Sequence, residues 1–158
     1  MTPGLTVIPI STYDEHARHV ARHLREHDRA EVTATGGGTP ENAVELSVLV
    51  SPGESYAVVN NAGEPLSLLG CSNMVLGTEG SPWMLATDGA ERHRRAMIQI
   101  GLAYTRYLRD RYTRLWNVVH VDNHPSIRYL LTIGFEVHEQ VIVLPNGGRV
   151  RLFDMMGK

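Results

Sequence analysis

His120 and Asp122 stand at the end of an apolar run, residues 115–121, in which Trp116, Val118 and His120 alternate with Asn117, Val119 and Val121. An imidazole titrates near neutrality and can move a proton, although a single histidine on an apolar strand is ordinarily a hydrogen-bonded core residue. A second group is Asp88-Gly89-Ala90-Glu91 with Arg92, Arg94 and Arg95 behind it. Its spacing is that of a capping box, where side chains satisfy the free N–H groups of a helix start. The same N–H groups attract phosphate when no carboxylate holds them. His16, His19, His23 and His27 recur at helical spacing. Zinc sites draw ligands from several elements or add a carboxylate or cysteine, so these four read as a half-wetted helix edge and no metal site is assigned. Gly36-Gly37-Gly38 lacks the Gly-Lys-Ser/Thr ending of a phosphate loop and reads as a connector. Cys71, the one cysteine, has no basic neighbour in sequence and reads as a small buried hydrophobe.

The elements that must carry these residues follow from periodicity. Residues 5–10 alternate as a strand, and residues 11–30 change to helical spacing, with Ala17, Val20, Ala21 and Leu24 on a packed side and Arg18, Arg22, Arg25 and Arg29 on a wet one. Thr39-Pro40-Glu41 reads as an N-cap with proline in the first turn of a helix reaching Val50. Strands over residues 55–60 and 65–74 form a hairpin, and residues 82–86 form another strand. A long helix is expected from Asp88 to Tyr112, then the strand 115–121, a short helix over 125–133 stopped at Gly134, and two strands around the turn Pro145-Asn146-Gly147-Gly148.

Fifteen Lys and Arg against seventeen Asp and Glu give 158 residues a charge of −2, without the basic excess of a dedicated nucleic-acid binder. A hydrophobic share of 42% supports a real core, and the length suits one domain, residues 1–158. No apolar run reaches the roughly 20 residues that span a bilayer, and the first residues lack the basic start of a signal peptide. No membrane is expected, and a reducing cytoplasm suits the lone cysteine.

The order of elements resembles the GNAT acyl-CoA N-acyltransferase superfamily over nearly the whole chain. The sharper likeness is Asn123-His124-Pro125-Ser126-Ile127-Arg128-Tyr129-Leu130-Leu131-Thr132-Ile133-Gly134-Phe135, which is similar to the family's closing motif of an Asn after the fifth strand, a helix, then Gly-Phe. Residues 115–123, together with Ser126-Ile127-Arg128-Tyr129-Leu130, Thr132-Ile133-Gly134 and His138-Glu139, resemble more narrowly the GNAT-like internal virion, or core-assembly, proteins of short-tailed phages.

The resemblance implies an α/β (α+β) fold: a mixed, mostly antiparallel sheet flanked by helices, whose fourth and fifth strands splay apart. It also implies acetyl-CoA as the cofactor. Pantetheine would lie in the splay against Met84, Leu85 and Ala86, and diphosphate would lie at Thr87, Gly89, Arg92, Arg94 and Arg95, with Asn123 nearby. His120 and Asp122 would be candidates for the base, with Glu79 a weaker one, and Tyr129 for the acid. Two positions depart from the family pattern. The family's glycine-rich phosphate loop is here a single glycine between Asp88 and Glu91, whose carboxylates are expected to cap the helix themselves. The family's acid tyrosine falls on Leu130, one residue from Tyr129. The expectation is therefore a phage protein acting in head or internal core assembly with degenerate acyl transfer. Its partners would be phage structural or assembly proteins, nucleic acid is not expected, and its place would be the host cytoplasm or the virion. The alternative is an active acetyl-CoA-dependent N-acetyltransferase acting on a protein or small-molecule amine.

Overall fold

The computed structural model describes residues 4–35, 38–75 and 78–158. Most of the Gly36–Gly38 connector and Gly77 lie outside these, as do residues 1–3. The described residues form a seven-stranded sheet in the order β1-β2-β3-β4-β5-β7-β6 and five α-helices. The strands are β1 (Leu5–Ile10), β2 (Ser55–Asn60), β3 (Pro65–Val75), β4 (Glu79–Ala86), β5 (Arg114–His120), β6 (Glu136–Val143) and β7 (Arg149–Met156). All neighbours pair antiparallel except β4 and β5, which run parallel. This is the mixed, mostly antiparallel α/β fold expected.

The helices are α1 (Glu15–Arg22), α2 (Glu26–Ala34), α3 (Pro40–Leu49), α4 (Arg94–Arg109) and α5 (His124–Thr132). One apolar layer joins Ala17, Val20 and Ala21 of α1 and Val44 and Val48 of α3 to Ala57 and Leu68 of the sheet. On the opposite side, Met97 and Ile100 of α4 pack on Val58, Leu66 and Leu69. Leu115, Val119, Phe135 and Phe153 complete the core beside Leu108. Thr39 caps α3 as its sequence requires, its hydroxyl accepting the Asn42 N–H at 3.2 Å.

Two boundaries differ from those the sequence suggests. The helix expected over residues 11–30 is two helices, because the backbone at Leu24 and Arg25 leaves helical geometry to pair with β4. Leu24 bridges Thr87, and the Arg25 N–H donates to the Ala86 carbonyl at 2.9 Å. A strand-edge contact some sixty residues away in sequence outweighs a continuous amphipathic pattern. The expected start of the long helix is a 3-10 turn, Asp88–His93, and α4 begins only at Arg94. No side chain caps either start, so the proposed self-capping by Asp88 and Glu91 is not what forms. Asp88 is exposed, and Glu91 turns to Arg25 at 2.7 Å.

Candidate functional site

β4 and β5 are joined at only one end. Glu79 and Gly80 pair with Arg114 and Leu115, and the Thr113 N–H donates to the Thr78 carbonyl at 2.7 Å. Beyond Gly80 the register ends and the strands part. Asn117 replaces the next rung: its amide donates to the Pro82 carbonyl at 3.0 Å while its Oδ1 accepts the Val118 N–H at 2.8 Å. One side chain thus satisfies a backbone group on each strand where no ladder can. Asn117→Ala is expected to cost about 1–3 kcal/mol, the penalty for leaving such groups unpaired, measured as a fall in urea stability. An unchanged midpoint would show that water replaces the clip freely.

A cavity of about 230 Å³ fills the parting. Trp83, Leu85, Val32 and Ser47 wall it on the α1–α3 side, and Tyr104, Thr105 and Tyr129 on the α4–α5 side, so it passes through the sheet. Trp83 is fixed there by its indole N–H, which donates to Ser51 Oγ at 2.9 Å. The ring packs on Gly70, where a Cβ would come within 2.6 Å of its Cε2. The peptide groups of Pro82 and Ala86 point into the parting, and by strand alternation those of Met84 do as well.

The far end of the parting is bridged by α2. The Asp28 carboxylate accepts the Ala86 N–H at 2.8 Å, and the Glu31 carboxylate accepts the His120 N–H at 2.8 Å. Residues at i and i+3 share a helix face, so one turn of α2 reaches β4 with one carboxylate and β5 with the other. Asn123 joins them: its amide donates to Glu31 Oε1 at 3.0 Å while its Oδ1 caps α5, accepting the Ser126 N–H at 3.3 Å. Arg25, expected on the wet side of its helix, is 9% exposed and holds Asp28 through three hydrogen bonds and Glu91 through one. Burial pushes the Asp28 and Glu31 carboxyls above their usual range, against Arg25 and the Ala86 N–H for the first and the His120 N–H and Asn123 for the second.

Tyr129 divides what remains. Its hydroxyl donates to the Met97 carbonyl at 2.7 Å, so the side chain spans from α5 to α4. Gly101 makes the crossing possible, since a Cβ there would collide with the Tyr129 hydroxyl. On one side of the ring is the through-sheet cavity, and on the other a separate one of about 60 Å³ lined by Arg25, Ala86, Glu91, Arg94 and Arg128. Burial raises the Tyr129 phenol, and its proton is committed to Met97.

The structure therefore brings Met84, Leu85 and Tyr129 to the cavity in the parting, sets Ala86 and Asn123 at its bridged end, and leaves Arg94, an exposed residue, on the smaller space behind Tyr129. It turns others away. Thr87 is buried with its hydroxyl on the Leu66 carbonyl, and Gly89 faces Leu66. Arg92 and Arg95 are exposed. Asp122 is 82% exposed, and the His120 ring accepts the Asp122 N–H at 3.1 Å without reaching the cavity wall. Glu79 is engaged by the Trp116 indole at 2.7 Å. Of the four histidines, His16 and His19 lie on α1, His23 is its C-cap and His27 lies on α2; His19 and His23 stack at 4.3 Å and His16 pairs with Asp14. Sequence reading missed Arg25, Asp28 and Glu31. The available signal was that residues 25–31 offer no large apolar side chain, so a helix there can be seated only by polar contacts.

A mixed seven-stranded sheet with a parallel pair parted over a through-going cavity defines the GNAT acyltransferase fold. Three solved structures show the likeness. An acetyltransferase of the GNAT family from Bacillus anthracis has TM-score 0.63 and 13% identity over 99% of this chain and 96% of that one. A GCN5-related N-acetyltransferase from Brucella melitensis has TM-score 0.69 and 16% identity over 99% and 77%. Spermidine N-acetyltransferase from Vibrio cholerae, solved with CoA and spermine, has TM-score 0.65 and 11% identity over 97% and 95%. At such identities the likeness is one of fold. Within that class, residues 55–142, more than half of the chain, match the family of the bacteriophage T7 probable scaffold protein Gp13, and the chain belongs to that family. No curated protein matches it by sequence.

Proposed function

We propose that this chain is a phage assembly protein, acting as one GNAT-like unit over residues 1–158 in building the head or internal core, and that its cleft does not carry acyl transfer. The observation behind this reading is the Tyr129 partition. A pantetheine arm laid between α4 and α5 toward the parting must cross the line from Tyr129 to the Met97 carbonyl, where the hydroxyl and ring already stand. The 60 Å³ compartment behind it is far below the roughly 300–1,000 Å³ of ordinary ligand pockets. The strand edge at Ala86 is likewise taken, by Asp28 and the Arg25 N–H. The residues present do not fit acetyl-CoA.

Membership in the Gp13 family supports partners among phage structural or assembly proteins; the chain would meet them in the host cytoplasm or the virion. Among the described residues no helix is long and apolar enough to cross a membrane. The second reading, acetylation of an amine with acetyl-CoA, is favoured by the parting itself and by Arg25, Arg94 and Arg128 around the smaller cavity. In it, His120 or Asp122 would have to move to the cavity to serve as base. Calorimetric titration with acetyl-CoA separates the readings: no saturable heat is expected, and micromolar binding with release of free CoA thiol would replace the first reading by the second. Co-purification with phage core or portal components is the positive test of assembly, and a chain that stays solitary through infection counts against it.

A further inference from the structure

α2 is seated differently from its neighbours. α1 buries Ala17, Val20 and Ala21 completely, whereas α2 buries only Val32 among its apolar residues, together with Asp28. Its N-terminus has no side-chain cap. Its attachments are polar and directed at strand ends: Asp28 on Ala86 of β4, Glu31 on His120 of β5, and the Ala34 carbonyl, which accepts from Asn146 in the β6–β7 turn at 2.7 Å. A helix held by hydrogen bonds over one buried valine belongs to the low-stability end of a fold, where local opening is least costly.

We propose that α2 is a releasable bolt across the parted strands. In the closed state its Asp28 and Glu31 carboxylates hold the edges of β4 and β5, and in an open state they turn to water and expose the Ala86 and His120 peptide groups. The proposal goes beyond the assembly reading, since a bolt could serve either a partner segment or a small ligand.

The charges around the bolt set its direction. The titratable and charged groups facing the two carboxylates are Arg25 from the α1–α2 junction, Glu91 from the 3-10 turn through Arg25, and His120 from β5, with the Asn123 amide between them. Arg25 is shared by Asp28 and Glu91, and among the described residues no cation is bonded to Glu31. Closing therefore buries two carboxylates against one guanidinium. Because both carboxyls bind their protons more tightly when buried, the closed state is favoured at low pH and loses ground to the open one as pH rises through their raised values.

Amide hydrogen exchange, corrected for intrinsic rates, reads this at single residues. Protection at Ala86 and His120 is expected to fall about tenfold as pH rises from about 4 to about 8. Val58, inside the β1–β3 ladder, should keep its protection. Glu31→Gln retains an acceptor for His120 while removing the buried charge, so it should raise protection at Ala86 and His120 at neutral pH and flatten its pH slope. Asn146→Ala frees the far end of α2 without touching a carboxylate and should speed exchange at both amides at every pH. Protection at Ala86 and His120 that does not change with pH, that changes in step with Val58, or that keeps the parent slope in Glu31→Gln would overturn the proposal. So would an unchanged rate in Asn146→Ala.

Discussion

Replacing Tyr129 with alanine is expected to lower stability by about 3–5 kcal/mol and, in the same variant, to raise affinity for acetyl-CoA. The first effect comes from removing a large ring packed on two helices together with its hydroxyl bond to the Met97 carbonyl. The second comes from joining the 230 Å³ and 60 Å³ spaces into one channel between α4 and α5. Tyr129→Phe is the control, because it keeps the ring as a wall and loses only the hydroxyl bond, about 1 kcal/mol. Denaturant midpoints and calorimetric titration with acetyl-CoA check both variants. Equal CoA affinity in the parent, Tyr129→Phe and Tyr129→Ala would show that the ring is not the barrier.

Asp28→Ala should be as damaging, about 3–5 kcal/mol, for a different reason. Asp28 is 1% exposed and its loss strands a guanidinium that is itself buried, together with the Ala86 N–H. Glu91 still faces Arg25 but is half exposed, so it only partly offsets the charge. Asp28→Asn keeps an acceptor for the Ala86 N–H and should lose less than Asp28→Ala. Urea denaturation near neutral pH gives the comparison. A loss under about 1 kcal/mol for Asp28→Ala would mean that Arg25 simply swings into solvent, and that the pair does not hold α2 in place.

The parts of this architecture that were legible in sequence are those set by local rules. Thr39 and Pro40 announce α3, Gly134 takes a φ of 104° at the end of α5, and the alternation of residues 115–121 places β5. Cys71 is as the sequence suggests, 1% exposed with its thiol pushed up to about 12 by burial. What was not legible depends on contacts between distant residues. The break at Leu24 and Arg25 exists because Ala86 and Thr87 offer a strand edge, and no pattern within residues 11–30 records that edge. Asp28 and Glu31 look like members of a solvated charged face until β4 and β5 present unpaired N–H groups to them. Asp88 and Glu91 satisfy a capping-box spacing, yet Arg25 draws Glu91 away. The likeness to GNAT proteins located the parting, but its occupants are this chain's own.

The short register between β4 and β5 bears on how the chain acquires its shape. β1 through β4 form one antiparallel meander from residues 5 to 86, interrupted by the helices α1–α3, and residues 114–156 form a second antiparallel block in which β7 inserts between β5 and β6. Each block completes its antiparallel ladders from its own strands, so the two are natural candidates for separate cooperative folding units. Within the sheet, the junction at Glu79 and Gly80, the Asn117 clip and the crossing helix would then be docked last and most reversibly.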